Sequence, residues 1–354
     1  MYKTNYTTLL AVPGFPDQHD WISRELYYTL SAAMFPWFLL TVIGVVGNSL
    51  SIVTFFSLGL RDSVTFLFFI QSVSDLLASC ATFGYLLFVA LYIVEGFTVL
   101  RFSFDPNVIA TVSVNTRDTF YCMSVLTTTF IATLRCLSVY KPIRFKGFVT
   151  ARRSYISTAI LALVSLAVYG PSSLTYEFQQ YGTDLKNISR FVIRYTEVYR
   201  KSSNFEKIVG DTIMTLAAQF IVSLCLFVLA HGLVSSIKFR LQSSSVQRAS
   251  GNRIGPLRKQ ASSLQGKELQ AVRQVCLVAL IFVLCNMPKV GIAFGRMFLD
   301  GFAIYGKYGT LYQLIVHVRI FTDTINSSVN CFVYYRYNSN FRNKLKEILD
   351  LVSE

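Results

Sequence analysis

Near the C-terminal end of the sequence the chain reads NSSVNCFVYYRYNSNFR, from Asn326 to Arg342. The stretch opens as an apolar helix with Asn326 and Asn330 set inside it. It passes Tyr334, Tyr335 and Tyr337, then turns polar and basic around Phe341. Beyond it, Phe341, Leu345, Ile348, Leu349 and Val352 recur at helical spacing, with Arg342, Lys344 and Lys346 on other faces. This pattern predicts a membrane-spanning helix whose end turns into a short amphipathic helix lying on the inner membrane surface. That accounts for the basic end of the stretch and leaves its asparagines to be explained.

Working outward, the composition agrees. Of 354 residues, 53% are hydrophobic and only 15% charged, against about a quarter in a soluble domain. About 20 apolar residues cross a bilayer as a helix. Seven segments qualify, at about 28–58, 63–94, 106–140, 154–176, 208–238, 269–299 and 309–336. They predict an all-α membrane protein, a seven-transmembrane helix bundle at 26–337. An N-terminal tail precedes it at 1–25, and the amphipathic helix and a short cytoplasmic tail follow at 338–354. The segment 239–267, rich in Ser, Gly and basic residues and without an acid from Gln242 to Lys267, reads as a flexible inner loop.

Charge sets the expected orientation. With the N-terminus outside, the inner segments hold 17 Lys and Arg against five acids, the outer segments balance to zero, and the spans carry the remaining two of the net +14. The expected location is the plasma membrane, multi-pass, with a cytoplasmic C-terminus and lipid as a partner. Topology absorbs the basic excess, so no nucleic-acid partner is expected. The sequons at Asn5 and Asn187 fall outside in this arrangement and are expected glycosylation sites, whereas Asn326 lies within the seventh span. The first 25 residues lack the apolar core of a cleavable signal peptide, so the first span is expected to act as an uncleaved anchor. All seven cysteines lie in or at the ends of spans and are expected as free thiols.

Polar groups inside a span are expensive unless paired or hydrated. Here they come as a set: Asn48 in GVVGNSL, Asp75 in SVSDLLA, Asn326 and Asn330 in NSSVNCFVYY. Isolated amides can bond to neighbouring backbone, but three spans offering polar groups at similar depth favour one shared, hydrated cluster. Arg117, Asp118, Lys289, Arg319 and Asp323 form a second set. Arg117 lies 18 residues before Arg135, roughly 27 Å along its helix. Arg319 lies 11 residues before Asn330, roughly 16 Å from the asparagines. Neighbours on a helix do not face each other, so Arg117 and Asp118 are not expected to neutralise one another. Two readings stand: a structural bridge from Arg117 or Arg319 to Asp323, or a cavity with three cations and two acids and one cation to spare for a ligand's acidic or accepting group.

With these motifs in order, nearly the whole chain resembles the rhodopsin-like G-protein-coupled receptors. GNSLS resembles the family's first-helix Gly-Asn signature. SVSDLLA is similar to its second-helix Asp motif. LRCLSVYKPIRF resembles the Asp-Arg-Tyr motif, with Arg135 as the central arginine. CNMP matches Cys-Trp-x-Pro except that Asn286 stands for the tryptophan before Pro288. NCFVY matches Asn-Pro-x-x-Tyr except that Cys331 stands for the proline, and YNSNFR resembles the start of helix eight. RDSVTFLFFIQSVSDLLA and RCLSVYKPIRFKGFVTARR look most like molluscan chemosensory receptors, then invertebrate FMRFamide-type peptide receptors. The resemblance implies a receptor for an extracellular small molecule or neuropeptide that activates a heterotrimeric G protein. It implies a bound sodium ion among Asp75, Asn48, Asn326 and Asn330, with Tyr334 swinging toward the G-protein cavity and Arg135 at its mouth. It implies no other cofactor and no metal beyond that sodium. Leu134 stands where the family has an acid, and the cysteine pair linking helix three to the second outer loop is missing. The alternatives are a seven-helix transporter or channel, lined by Arg117, Lys289, Arg319 and Asp323, and a receptor-like protein that no longer signals. There is no internal repeat of the kind transporters carry. No triad, nucleophile elbow or phosphate loop is present, so no enzyme is expected.

Overall fold

The computed structural model describes residues 24–97, 102–140, 150–183, 188–194, 196–250, 256–303 and 306–353. In chain order the helices are α1 Arg24–Leu58, α2 Ser63–Phe97, α3 Pro106–Tyr140 and α4 Ala151–Leu174. A hairpin of β1 Glu177–Thr183 and β2 Ile188–Arg194 follows. Then come α5 Glu197–Phe205, a π-helical segment Glu206–Met214 running into α6 Thr215–Ser250, α7 Pro256–Cys285, α8 Met287–Phe298, α9 Gly309–Tyr337 and α10 Ser339–Ser353. Asn5 and Asn187 lie outside the described residues.

Local chemistry sets the boundaries. Asp62 caps α2 by accepting the Thr65 N–H at 2.9 Å. Asp105 accepts from the Asn107 N–H at 2.9 Å, ahead of Pro106 at the first position of α3, where a missing N–H costs nothing. Thr150, Thr196 and Asn338 cap α4, α5 and α10 with side-chain oxygens. α1 stops at Leu58, before Gly59 at φ +89°. The segment 239–267 departs from its reading as a loop. α6 runs unbroken through Ser250, and α7 begins at Pro256. From Leu233 to Ser250 no Gly or Pro stops the helix, and Gly251 is the first residue able to.

Among the described residues, five helical stretches are long and apolar enough to cross a membrane: Ala33–Leu58, Ser63–Glu95, Pro106–Ser138, Ala151–Leu174 and Glu197–Val234. The pair α7–α8, bent by 41°, makes a sixth. α9 has the length, 29 residues, but its interior face is polar: Arg319, Asp323, Asn326, Ser327, Ser328 and Asn330 are all buried. The bundle is apolar outside and polar within. Phe56, Phe220 and Phe227 are 68%, 71% and 73% exposed, while Asn48, Asp75, Ser124 and Asn330 are almost wholly buried. That inversion is stable only in lipid. Hydroxyls are satisfied within their own helices, as Thr41 on Trp37 O, Ser51 on Gly47 O and Thr82 on Ala78 O.

The core falls into layers. At the hairpin end Trp37, Leu86 and Ile320 pack together. In the middle lie Tyr121, Val125, Val222 and Phe282. At the opposite end Phe55, Phe68, Tyr334, Phe341 and Leu345 interlock, with the Phe55 and Phe341 rings 4.9 Å apart. α10 thus docks Phe341 and Leu345 into the bundle and leaves Leu349 and Leu351 exposed.

Candidate functional site

Two polar sites occupy different depths. In the middle, Asp75 of α2 is fully buried and both its oxygens are used. Oδ1 accepts from Ser124 Oγ of α3 at 2.6 Å and Oδ2 from Asn330 Nδ2 of α9 at 2.8 Å. Asn48 of α1 donates to the Ser327 carbonyl at 3.0 Å. Its Oδ1 and the Ser79 hydroxyl, one turn beyond Asp75, are buried without a hydrogen-bond partner among the described residues. A Cβ on Gly44 would lie 2.5 Å from Ser328 Oγ, so glycine lets α1 approach α9 here. The asparagines of the opening stretch are therefore built into one junction of α1, α2, α3 and α9. Asn326 is buried a turn away from Asn330, and Asp75's direct partners are Ser124 and Asn330. Ser124 is the member that sequence reasoning missed, one neutral hydroxyl among many in α3.

Toward the hairpin end lies a charged cluster. Arg117 Nη2 meets Asp323 Oδ2 at 2.7 Å, and Arg319 Nη2 meets Asp118 Oδ1 at 2.6 Å. Arg117 Nη1 also meets Asp118 Oδ1 at 2.5 Å. This corrects the expectation that these neighbours stay apart. The guanidinium is long enough to fold back across one residue, and both side chains turn to the same dry interior. The structural bridge to Asp323 is present, and Arg117 is spent on it.

The cluster is larger than the five residues named from sequence. Asp211 of the π-helical segment and Arg296 of α8 join it, with Arg296 Nη1 to Asp211 Oδ2 at 3.1 Å. Lys289 Nζ and Arg319 Nη1 each lie 4.0 Å from Asp211 Oδ1. Lys289 also donates to Tyr169 Oη at 3.4 Å, and Tyr169 donates to Asp211 at 3.3 Å. The signal for Asp211 and Arg296 was available: each is a charge inside a span, and buried charges find partners. Four cations face the three carboxylates of the cluster, with a fourth acid, Glu206, half-buried at its edge. Glu206 sits at the rim on Ser172 of α4, and Lys207 beside it is exposed. Beside Lys289 is a cavity of about 10 Å³, the space of one water, lined by Cys122, Val125, Leu126, Tyr169, Gly210, Met214 and Thr215.

Between the two sites α7 breaks from α8 at Asn286. Pro288 has no N–H for the Leu284 carbonyl, which opens the bend. Asn286 donates to Gln219 Oε1 of α6 at 3.2 Å, so the residue in the tryptophan's place ties the fifth and sixth spans. At the far end, Arg135 is half-buried and its Nε has no hydrogen-bond partner. Tyr334 is fully buried against Phe55, Phe68 and Phe341, its hydroxyl also without a partner. The two do not touch through hydrogen bonds. All seven cysteines are free.

No curated protein matches the chain. Residues 36–351 match the family model described as serpentine type 7TM GPCR chemoreceptor Srw, which covers all the helices above apart from the start of α1 and the end of α10. The match takes in most of the bundle, apolar outside and polar within, and the chain belongs to the Srw serpentine seven-transmembrane chemoreceptors.

Proposed function

We propose that the protein is a plasma-membrane receptor, N-terminus outside, that binds an extracellular small molecule at the hairpin end and activates a heterotrimeric G protein at the α10 end. One observation carries the reading: the charged cluster draws on the third, fifth, sixth and seventh spans at once. A ligand held there would act on four helices that converge, at the other end, on Arg135 and Tyr334. Membership of a chemoreceptor family supports a small molecule over a neuropeptide. Nothing in the charge pattern forbids N-glycosylation at Asn5 and Asn187, which this orientation places outside.

The ligand carries an acidic or strongly accepting group. Arg117 and Arg319 are held by Asp118 and Asp323 at 2.5–2.7 Å, so the cation left for a ligand is Lys289, whose nearest carboxylate is 4.0 Å away. Asp75 supplies a carboxylate, Ser124 a hydroxyl, and Asn48 Oδ1 and Ser79 Oγ two buried oxygens in need of partners. An all-oxygen set fits a hard cation such as sodium, which would neutralise the carboxylate and tie α1, α2 and α3.

Nucleotide exchange on membranes containing the receptor and defined Gα subunits tests the reading. Carboxylates, other water-borne small molecules and short amidated peptides are applied in turn. Ligand-dependent exchange on one Gα is the expected result. Ligand-gated ion flux without exchange would instead establish the transporter or channel.

A further inference from the structure

Asp211 stands apart from the other carboxylates of the cluster. Asp118 and Asp323 make short contacts of 2.5–2.7 Å to Arg117 and Arg319. Asp211 holds three cations from two other helical segments, and holds them loosely: Arg296 at 3.1 Å, Lys289 and Arg319 at 4.0 Å each. The same Lys289 is the cation that no carboxylate holds closely. Asp211's carboxylate therefore occupies the position an acidic ligand would need.

Its carrier is an unusual turn. Asp211 rides on the π-helical turn Glu206–Met214, a wide, rare form of helix that recurs at functional sites. Thr212 and Thr215 hydroxyls bond back to the Lys207 and Gly210 carbonyls at 3.0 and 3.2 Å, five residues earlier, and so satisfy the wide turn. Gly210, Met214 and Thr215 of this region line the water-sized cavity beside Lys289. Tyr169 accepts from Lys289 and donates to Asp211, bridging the pair across that cavity.

We propose that Asp211 is a built-in occupant of the receptor's anion site. It ties the fifth span to the sixth and seventh in the resting state, and a ligand carboxylate takes its place on Lys289, Arg296 and Arg319. The proposal rests on the reading of the protein as a receptor for an acidic small molecule, and it adds the residue that keeps that receptor quiet. No bond is made or broken. One carboxylate replaces another, so the charge facing the three cations is unchanged.

Chemical complementation tests the seat itself, without any G protein. Asp211→Ala removes the carboxylate and leaves a small hole beside three cations. The purified full-length variant should be stabilised by tetramethylammonium acetate relative to the chloride salt, its Tm rising by roughly 2 °C or more. Wild type, its seat filled, should shift less. Equal shifts in both proteins, or none in the variant, would overturn the proposal. Basal nucleotide exchange tests the restraint. Asp211→Asn, nearly the same in shape, should raise exchange per surface receptor by about fivefold or more, the low end of coupling between sites. Arg296→Gln, which removes the closest partner, should raise it in the same direction and stands in where Asp211→Asn does not reach the surface. Wild-type responses with unchanged basal exchange in variants at normal surface level would sink the restraint while leaving the receptor intact. Loss of exchange in every protein, with acetate rescue retained, would sink the receptor reading and keep the anion seat.

Discussion

Arg117 and Lys289 carry the same charge in the same cluster, yet their removal has different consequences. Arg117 closes two carboxylates at 2.5 and 2.7 Å and is 1% exposed. Arg117→Ala would leave Asp118 short of one partner and Asp323 with only Arg319 at 3.5 Å. Breaking such a buried pair typically costs about 3–5 kcal/mol, so surface expression should fall steeply. Lys289 leaves behind only Asp211, 4.0 Å away, which keeps Arg296 at 3.1 Å. Lys289→Ala should keep surface expression and cut the potency of an acidic agonist tenfold or more, about 1.4 kcal/mol. Surface labelling beside a dose–response curve separates the two, and equal expression with equal potency loss would put the ligand on Arg117 instead. At the second site, Asp75→Asn keeps the shape and removes the charge that would hold a cation. It should abolish any sodium dependence of agonist affinity. Agonist binding in the wild type that is the same in sodium as in a large organic cation would exclude an ion at Asp75.

Among the elements, the contact of α4 with the π-helical segment constrains the charged cluster closely. A Cβ on Gly210 would lie 2.7 Å from Tyr169 Oη and 2.9 Å from Val168. Gly210→Ala must push Tyr169 off the Lys289–Asp211 pair, at about 1–3 kcal/mol for overpacking. Gly170, next to Tyr169 in sequence, has nothing within 4 Å of its Cβ position. Gly170→Ala should be neutral or slightly stabilising in its helix. Thermal unfolding of the two variants gives the comparison, and a neutral Gly210→Ala would mean that α4 and the fifth span are not packed this closely. Which of these elements could be read from the sequence follows their physics. Long apolar runs announced the helices, and Pro106 and the apolar spacing from Phe341 to Leu345 marked where α3 and α10 lie. Asn48, Asp75 and Asn330 were legible because polarity in a span is costly and so conspicuous. The π-helical turn was not, because one wide turn leaves no compositional trace. The bend at Asn286 showed only as Pro288. A bridge from Arg117 or Arg319 to Asp323, 206 residues from Arg117, was one of two readings of the sequence, but Asp118's choice of both arginines was not legible, because it depends on how α3 and α9 rotate against each other.

At the scale of the molecule, the account depends on which end faces out. The proposed orientation, N-terminus and hairpin outside and α10 inside, rests on the excess of Lys and Arg in the first, third and fifth connections between spans and after the seventh span. Epitope tags at the N-terminus and at Gly251, probed on intact cells, should give surface signal for the first and none before permeabilisation for the second. Antibody access to the Gly251 tag on intact cells would invert the molecule and put the charged cluster at the cytoplasmic end. In the proposed function a ligand at the charged cluster drives G-protein exchange at the other end of α3, Arg117 lying roughly 27 Å along the helix from Arg135. The most direct test is carboxylate-dependent nucleotide exchange on one defined Gα, measured in parallel for wild type, Lys289→Ala and Arg135→Ala at matched surface density. The expected result is a wild-type response, a curve shifted at least tenfold to higher concentration in Lys289→Ala, and no exchange with binding retained in Arg135→Ala. A response that is identical in all three proteins would contradict it.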